Sequence, residues 1–279
     1  MNSPTNPSPK NIRANLRIDF WSIIMGIALL IIGLMLVWPI AQVLLMGVFD
    51  STTHDVTLAH YKKILTHPYY VGALWNTMIV GLGGMLGACL LGVPLAYCTA
   101  RYVIKGRSII ATLAVMALVS PPFIGAYSWI VVLGNNGWLT LQLKSLGINM
   151  PTIYGVSGII LVFSLKFFPF VYLMTESALR NINRSYEEAA ENLGCTPVQR
   201  FFRVTLPLVF PATSSGAILC FVLSIADFGT PSIIGRDFRT LSTIAYNQYT
   251  SEMGGTPTMA VSISMLMVVI SMLAVFLQR

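Results

Sequence analysis

Charge is scarce in this sequence. Only 10% of its 279 residues are Asp, Glu, Lys or Arg, against about a quarter in an ordinary soluble domain. That is too little to cover a water-facing surface, so a soluble globular protein is excluded. Cysteine is equally unhelpful to any stapled or metal-based design. Cys89, Cys98 and Cys220 fall in apolar runs and Cys195 in a polar loop, with no CxxC and no Cys/His cluster. Neither a disulfide framework nor a zinc site is indicated. There is no Gly-Lys dipeptide, so the phosphate cradle of a nucleotide-hydrolysing P-loop is missing. Asp227-Phe228-Gly229 has the letters of a kinase triplet, but none of the kinase partner motifs accompanies it. No acidic residue lies deep in an apolar run, and no His/Asp/Glu set is paired there. This argues against a proton-relay secondary transporter or channel, and against a membrane-embedded enzyme.

What is present is apolar length. Hydrophobic residues make up 55% of the chain and gather into blocks, and about 20 apolar residues suffice to cross a bilayer. Six segments qualify: 20–46, 76–100, 108–133, 153–175, 207–227 and 257–278. Phe20 to Met46 is uncharged and has no small-x-small cleavage site. It is too long for a signal-peptide core of about 7–15 residues, so it is expected to remain as the first span. Residues 1–17 are polar, rich in Pro, Ser and Asn, and carry Lys10, Arg13 and Arg17. This composition predicts a disordered cytoplasmic tail, with 18–279 as the membrane domain. Gly and Pro recur inside the spans (Gly81, Gly83, Gly84, Gly87, Gly92, Pro94), where small residues permit close helix approach.

The net charge of +7 does not point to nucleic acid, because the basic residues flank apolar segments. With the N-terminus inside, eleven Lys and Arg fall on the inner side: 10, 13, 17, 101, 105, 107, 180, 184, 200, 203 and 279. Five fall outside: 62, 63, 144, 236 and 239. The positive-inside rule then places both termini in the cytoplasm. The five tryptophans (21, 38, 75, 129, 138) lie near span ends or in outer loops, as interfacial anchors would.

The segment between spans four and five carries the most information. Ser185 and Glu188 have capping-box spacing. Tyr186, Ala189, Ala190 and Leu193 form one apolar helical face, and Gly194 stands where a left-handed residue would stop the helix. Thr196-Pro197 has N-cap and N1 chemistry for a second short helix, and Leu206-Pro207 leads into span five. The result is a short amphipathic helix projecting from the cytoplasmic side with nothing of its own to cover its apolar face. That calls for a partner which receives a helix in a groove.

These residues resemble a known family. Glu188-Ala189-Ala190, three residues, Gly194, nine residues, then Val204-x-Leu206-Pro207 is similar to the EAA signature of ABC importer permeases, with valine in place of isoleucine. The resemblance implies an all-α membrane protein of the type I permease kind: six transmembrane helices with a cytoplasmic coupling helix between helices 4 and 5, in a bacterial inner membrane. It implies that Tyr186, Glu188, Ala189, Ala190, Leu193, Gly194, Val204, Leu206 and Pro207 couple to the ATPase, of which two copies would hydrolyse ATP on separate chains. A second six-helix unit, a periplasmic substrate-binding protein and membrane lipid complete the partner set. No nucleic acid, no cofactor and no catalytic residue of its own are implied.

The stretch Ala226 to Tyr249 resembles the ferric-iron branch of those permeases, which includes relatives for thiamine and aminoethylphosphonate; polyamine import is a further alternative. That branch often fuses two six-span units, so this chain matches a first unit, with Arg279 as the natural end or the midpoint of a fused protein. Asp227, Phe228, Gly229 and Lys166 are the candidate substrate path or gate. Asp227 alone has the plainer reading of a helix-end carboxylate, and Lys166, a charge inside span four, that of snorkelling or pairing within the bundle. Pro169 is placed to kink that span. His54, His60 and His67, with Tyr61, Tyr69 and Tyr70, lie in the first outer loop. Their spacings do not gather metal ligands on one helix, so a solvated loop is expected, with docking of a soluble binding protein as the alternative. Labelling of single cysteines from each side of the membrane should find Ser51→Cys external and Ser185→Cys internal; labelling of both from the same side would reject the topology.

Overall fold

The structure, a computed structural model, describes residues 20–49, 58–251 and 255–278. The expected tail (1–17), Ser51, His54 and Arg279 lie outside the described residues. Among those described, nearly everything is helical, because a chain in lipid must satisfy its backbone groups internally and a helix does so within one segment.

The first helix, α1 (Phe20–Val48), is 29 residues long with a mean hydropathy of 2.7 over its most apolar window. The remainder begins with α2 (Ala59–Thr66) and α3 (Pro68–Arg101). Next come α4 (Arg107–Val119), α5 (Pro122–Leu133) and α6 (Trp138–Ser145). The long α7 (Val156–Asn181) leads to α8 (Ser185–Asn192) and α9 (Pro197–Arg200). A five-residue π-helical segment, Phe201–Thr205, joins α9 directly to α10 (Leu206–Ala226). The chain closes with α11 (Gly229–Ile234), α12 (Leu241–Thr250) and α13 (Pro257–Leu277). Among the described residues five helical stretches are long and apolar enough to cross a membrane, and a bent pair makes up to six if it counts as one span.

The bent pair covers the expected span over 108–133, but with a break in the middle. The helix from Arg107 stops at Val119, and the one beginning at Phe123 leaves at 111°. Ser120 and Pro121 sit between them with ψ of 123° and 142°. Apolar length at 108–133 was correctly perceived, but Ser120-Pro121-Pro122 is a breaker. Each residue before a proline is pushed out of the helical region, and neither proline has an N–H to continue the ladder. Pro169 behaves otherwise: α7 runs through it without interruption, with the ring buried.

The core of the bundle is the junction of α3, α7 and α10. Phe163, Phe167 and Val171 of α7 bury against Val80 and Ala88 of α3 and Cys220 of α10. Close approach is made possible by glycine. A Cβ on Gly92 of α3 would come within 2.9 Å of the Phe168 carbonyl oxygen and 3.0 Å of the Tyr172 nitrogen. A Cβ on Gly216 of α10 would lie 2.9 Å from Val171 Cα. Helix α7 is therefore gripped from two sides over one turn. Hydroxyls fasten the same helices, Thr175 to Thr213 at 2.9 Å.

Two smaller cores cap the ends. At one end Tyr172 and Leu179 of α7 pack with Ala96 of α3, Ala114 of α4 and Val209 of α10. At the other, Ile64 of α2 and Tyr70 bury against Leu241, Ile244, Met259 and Ile263. The described part of the first outer loop is thus a helix with a buried residue, Ile64, and not simply solvated chain. His67 caps α3, its Nδ1 accepting the Tyr69 N–H at 3.3 Å. Tyr61 donates to Met265 Sδ at 3.1 Å. No three metal-ligating groups gather among the described residues.

Gly92→Ala should lower the thermal unfolding midpoint in detergent, by roughly 1–3 kcal/mol of overpacking. Gly72→Ala in the same helix meets nothing within 4 Å and should leave the midpoint unchanged or raise it. Equal effects would show that the α3–α7 contact is not close-packed.

Candidate functional site

Two polar constructions stand out from the apolar bundle, one at the α8 end and one at the opposite end. At the first, α7 ends at Asn181 and the chain turns into α8. The expected Ser185/Glu188 capping box is absent: no side chain caps α8 in that way. Asn183 takes the role instead, its Oδ1 accepting the Ser185 backbone N–H at 3.1 Å and the Ser185 hydroxyl at 2.8 Å. Asn183 competes successfully because its short amide reaches the orphan N–H groups two residues on.

The C-terminal end of α8 matches expectation. Gly194 has φ of +83° with open space around its missing Cβ, and the Gly194 and Cys195 N–H groups reach back to the carbonyls of Glu191 and Ala190. Thr196 caps α9, with Gln199 reciprocating and Pro197 in the first turn. Helix α9 does not stand alone as a short helix. From Pro197 to Ala226 the chain is one continuous helical rod, so α9 is the base of the fifth span.

The apolar face of α8 is divided. Ala190 is buried, whereas Tyr186 is 59% and Leu193 85% exposed. Val198 and Phe202, on the adjoining rod, are exposed beside them in sequence. Of the other motif residues, Glu188, Ala189 and Pro207 are exposed and Val204 and Leu206 half-buried. The inward residue is the unexpected one, Glu187. Its Oε1 accepts from Arg101 Nε at 3.0 Å and from the Thr205 hydroxyl at 2.9 Å. The Arg101 and Glu187 side chains are only 8% and 11% exposed. Arg101 Nη2 lies 3.0 Å from the same oxygen but off the hydrogen-bond direction, so its charge is met without a second aligned bond. Arg184 Nη2 also donates to the Arg101 carbonyl at 3.0 Å. Glu188 and Glu187 both border an open polar cavity of about 190 Å³, with Tyr97, Arg101, Tyr102, Arg184 and Arg200.

Sequence reasoning selected Glu188 and overlooked Glu187, Arg101 and Thr205. The pattern held no signal to choose between adjacent glutamates, since only the tertiary position of Arg101, 86 residues away, turns one of them inward. Glu176, also overlooked, is buried at the end of α7. Its Oε1 takes Arg107 Nη2 at 2.9 Å and Arg180 Nη2 at 3.0 Å, which fastens the start of α4 to α7.

The opposite construction joins two of the four residues chosen as a path or gate. Lys166 Nζ donates to Asp227 Oδ2 at 2.5 Å, with side chains 15% and 4% exposed. Of the two plainer readings of Lys166, pairing is what is found. Asp227 ends α10 and begins α11: its Oδ1 accepts the Thr230 N–H at 2.8 Å, and its carbonyl accepts the Ser242 hydroxyl at 3.0 Å. Phe228 stacks on Tyr246 with ring centroids 4.2 Å apart. Gly229 is buried in the first turn of α11. Lys166 also borders a cavity of about 300 Å³, with Ser120, Gly125, Ser128, Trp129 and Leu165 among its walls, beside the break between α4 and α5. A charged pair at this depth is tolerated because each charge answers the other and the remaining lone pairs are bonded.

Known proteins share this sequence pattern and this fold. Residues 88–279 match the family described as binding-protein-dependent transport system inner membrane component. A molybdenum transport system permease protein, ModB of Mycobacterium bovis, is 30% identical over 221 residues, 77% of this chain and 81% of the relative. A putative ferric transport system permease protein, FbpB 1 of Haemophilus influenzae, is 27% identical over 78% of this chain. This chain spans only about a third of that relative's length, 34%. A putative 2-aminoethylphosphonate transport system permease protein, PhnU of Salmonella typhimurium, is 26% identical over 92% of this chain and 90% of the relative. Among solved structures, a bacterial alginate ABC transporter in complex with a pentasaccharide-bound periplasmic protein matches with a TM-score of 0.73 and 17% identity, covering 92% of each chain. The MetNI methionine ABC transporter matches at 0.58 and 22%, over 75% of this chain and 92% of that one. At these identities the structural matches establish the fold.

Removing one member of a buried ion pair leaves an uncompensated charge and costs about 3–5 kcal/mol, whereas replacing both is far milder. Lys166→Met and Asp227→Asn should each lower the thermal midpoint strongly, and the double variant should recover most of the loss. Strictly additive losses would show that the pair is not coupled.

Proposed function

This chain belongs to the family of inner membrane components of binding-protein-dependent transport systems, and on that footing we propose that it is the permease subunit of an ATP-driven ABC importer. Two six-helix units form the pathway, the second being a fused half, a sister subunit or another copy. A periplasmic binding protein presents the substrate at the α11–α12 end, and two ATPase subunits bind at the α8 end, which faces the cytoplasm with both termini. Residues 18–279 form the membrane domain. Alternating access results from closure of the ATPase pair, and no residue of this chain performs covalent chemistry.

The observation that carries the proposal is α8 itself. It is an eight-residue helix with Tyr186 and Leu193 left exposed, stopped by a left-handed glycine and fastened by its inward edge to the ends of two spans. A helix that holds large apolar side chains outward while one of its three glutamates, Glu187, is buried and bonded is built for a groove on another protein. Tyr186, Glu188, Ala189 and Leu193 form the contact. Ala190 and Gly194 set its packing and its end, and Val204, Leu206 and Pro207 connect it to the span. Lys166–Asp227, with Phe228 and Gly229, acts as the lock at the far end of the pathway. Asp227 joins α10 to α11 and Lys166 sits on α7, so the pair holds those elements together in one state.

For the substrate we propose ferric iron first, on the likeness of Ala226 to Tyr249 and on relatives named for ferric transport. Relatives named for molybdenum and 2-aminoethylphosphonate set the alternatives. Thermal stabilisation of the cognate binding protein by ferric iron, molybdate or 2-aminoethylphosphonate distinguishes them.

Gly194 supplies the test of coupling. A side chain there meets no neighbour, so the penalty is backbone strain alone, about 1–2 kcal/mol. Gly194→Val should leave membrane yield near normal while reducing ATPase co-purification and transport together, and Gly194→Ala should be milder. Undiminished ATPase binding and transport in Gly194→Val would refute the docking role of α8.

A further inference from the structure

The docking helix is not merely displayed; it is fastened at two points to two different spans. Glu187 Oε1 bonds Arg101, the last residue of α3, at 3.0 Å, and Thr205, the last residue of the π-helical segment beneath α10, at 2.9 Å. Arg184 adds a second tie to α3 through the Arg101 carbonyl. Thr205 is 1% and Glu187 8% exposed, so this carboxylate is held in a buried three-way junction at the edge of the polar cavity. Helices α3 and α10 are also the two that grip α7 at Gly92 and Gly216, and α7 and α10 carry Lys166 and Asp227.

The π-helical segment lies where this junction meets the rod. Inserted residues of this kind lower the regularity of the hydrogen-bond ladder and often mark places where a helix yields. Without a cross-tie, displacement of α8 would be absorbed there by local bending. With Glu187 bonded to Thr205 on one side and Arg101 on the other, displacement must move the ends of α3 and α10 together.

We propose that Glu187 is a positioning residue that makes α8, the end of α3 and the base of α10 one rigid lever, so that movement imposed on α8 reaches the opposite end of the bundle. The inference rests on the importer reading above. It assigns Glu187 no contact with ATP, substrate or the ATPase, and it separates the buried glutamate from its exposed neighbour Glu188, whose role is docking.

The test uses the complete transporter, permease with its ATPase, in lipid nanodiscs, trapped with Mg-ATP and vanadate so that no substrate is needed. Three quantities are read: ATPase retained on co-purification, the distance between nitroxides at Val103 and Asn192, and the maleimide reaction rate of Ser232→Cys at the opposite end. All three side chains are exposed. Native cysteines are replaced in the background. In the unsubstituted junction the nitroxide distance should stay narrow and constant on trapping. The Ser232→Cys rate should change by at least about fivefold, the lower end of ordinary coupling between distant sites.

Glu187→Gln should retain the ATPase, broaden the distance distribution and abolish the response at Ser232→Cys. Thr205→Val, which keeps the ion pair, should give a partial loss, and Arg101→Lys, which keeps the charge, should restore most of the response. A full response at Ser232→Cys in Glu187→Gln overturns the proposal. So does loss of the ATPase from Glu187→Gln alone, which would make Glu187 a docking residue. Failure of the unsubstituted protein to retain any ATPase would instead defeat the importer reading itself.

Discussion

Lipid offers a polar group no partner, and every part of this chain that enters the bilayer is arranged around that constraint. Backbone groups are met by helices. Several hydroxyls within the spans turn back onto their own helix, Thr77 donating to the Ala73 carbonyl, Ser164 to Ile160 and Ser262 to Thr258, at 2.7 to 2.9 Å, while Thr175 and Thr213 bond across two helices. Charges that cannot turn back are paired between helices. The pairs therefore fall where two helices end or meet, which makes them structural junctions and candidate moving parts at once.

Packing supplies what the hydrophobic effect cannot, since helices in lipid gain nothing by leaving one apolar medium for another. The α3–α7–α10 junction solves this with glycine on both sides of α7, so that backbone meets backbone and many weak contacts accumulate. Pro169 lies within the gripped turn. Its ring takes the space of a buried side chain, and Cys220 approaches the nearby Phe167 carbonyl at 3.1 Å. The helix continues through this proline, which has neighbours on both faces to support the backbone it interrupts.

The two ends of the molecule differ in what they leave open. At the α11–α12 end the polar atoms of Asp227 are used up by Lys166, Thr230 and Ser242. At the α8 end the oxygen of Glu187 is doubly bonded by Arg101 and Thr205, yet Tyr186 and Leu193 remain uncovered. The bonded inner edge of α8 thus lies beneath a surface that keeps two large apolar side chains uncovered.

Much of this was settled by local chemistry and could be perceived along the chain. The spans derive from apolar length. The end of α8 at Gly194 and the start of α9 at Thr196-Pro197 derive from the backbone preferences of those residue types, which act over four or five residues. Where local rules competed, the pattern misjudged the winner: Asn183 displaced Ser185 as the cap, and Ser120-Pro121-Pro122 split an apolar run that length alone would keep whole. Pairings between distant residues emerged only with the packed fold. Lys166 and Asp227 are 61 positions apart, and Arg101 and Glu187 are 86 apart. Nothing in composition or period encodes which helix ends become neighbours. Residue types and their order were enough to put this chain into a membrane with a short helix outside it. Which of two adjacent glutamates is buried was left to the packing of the helices, because a charge turns inward only where that packing has already brought its counter-charge within reach.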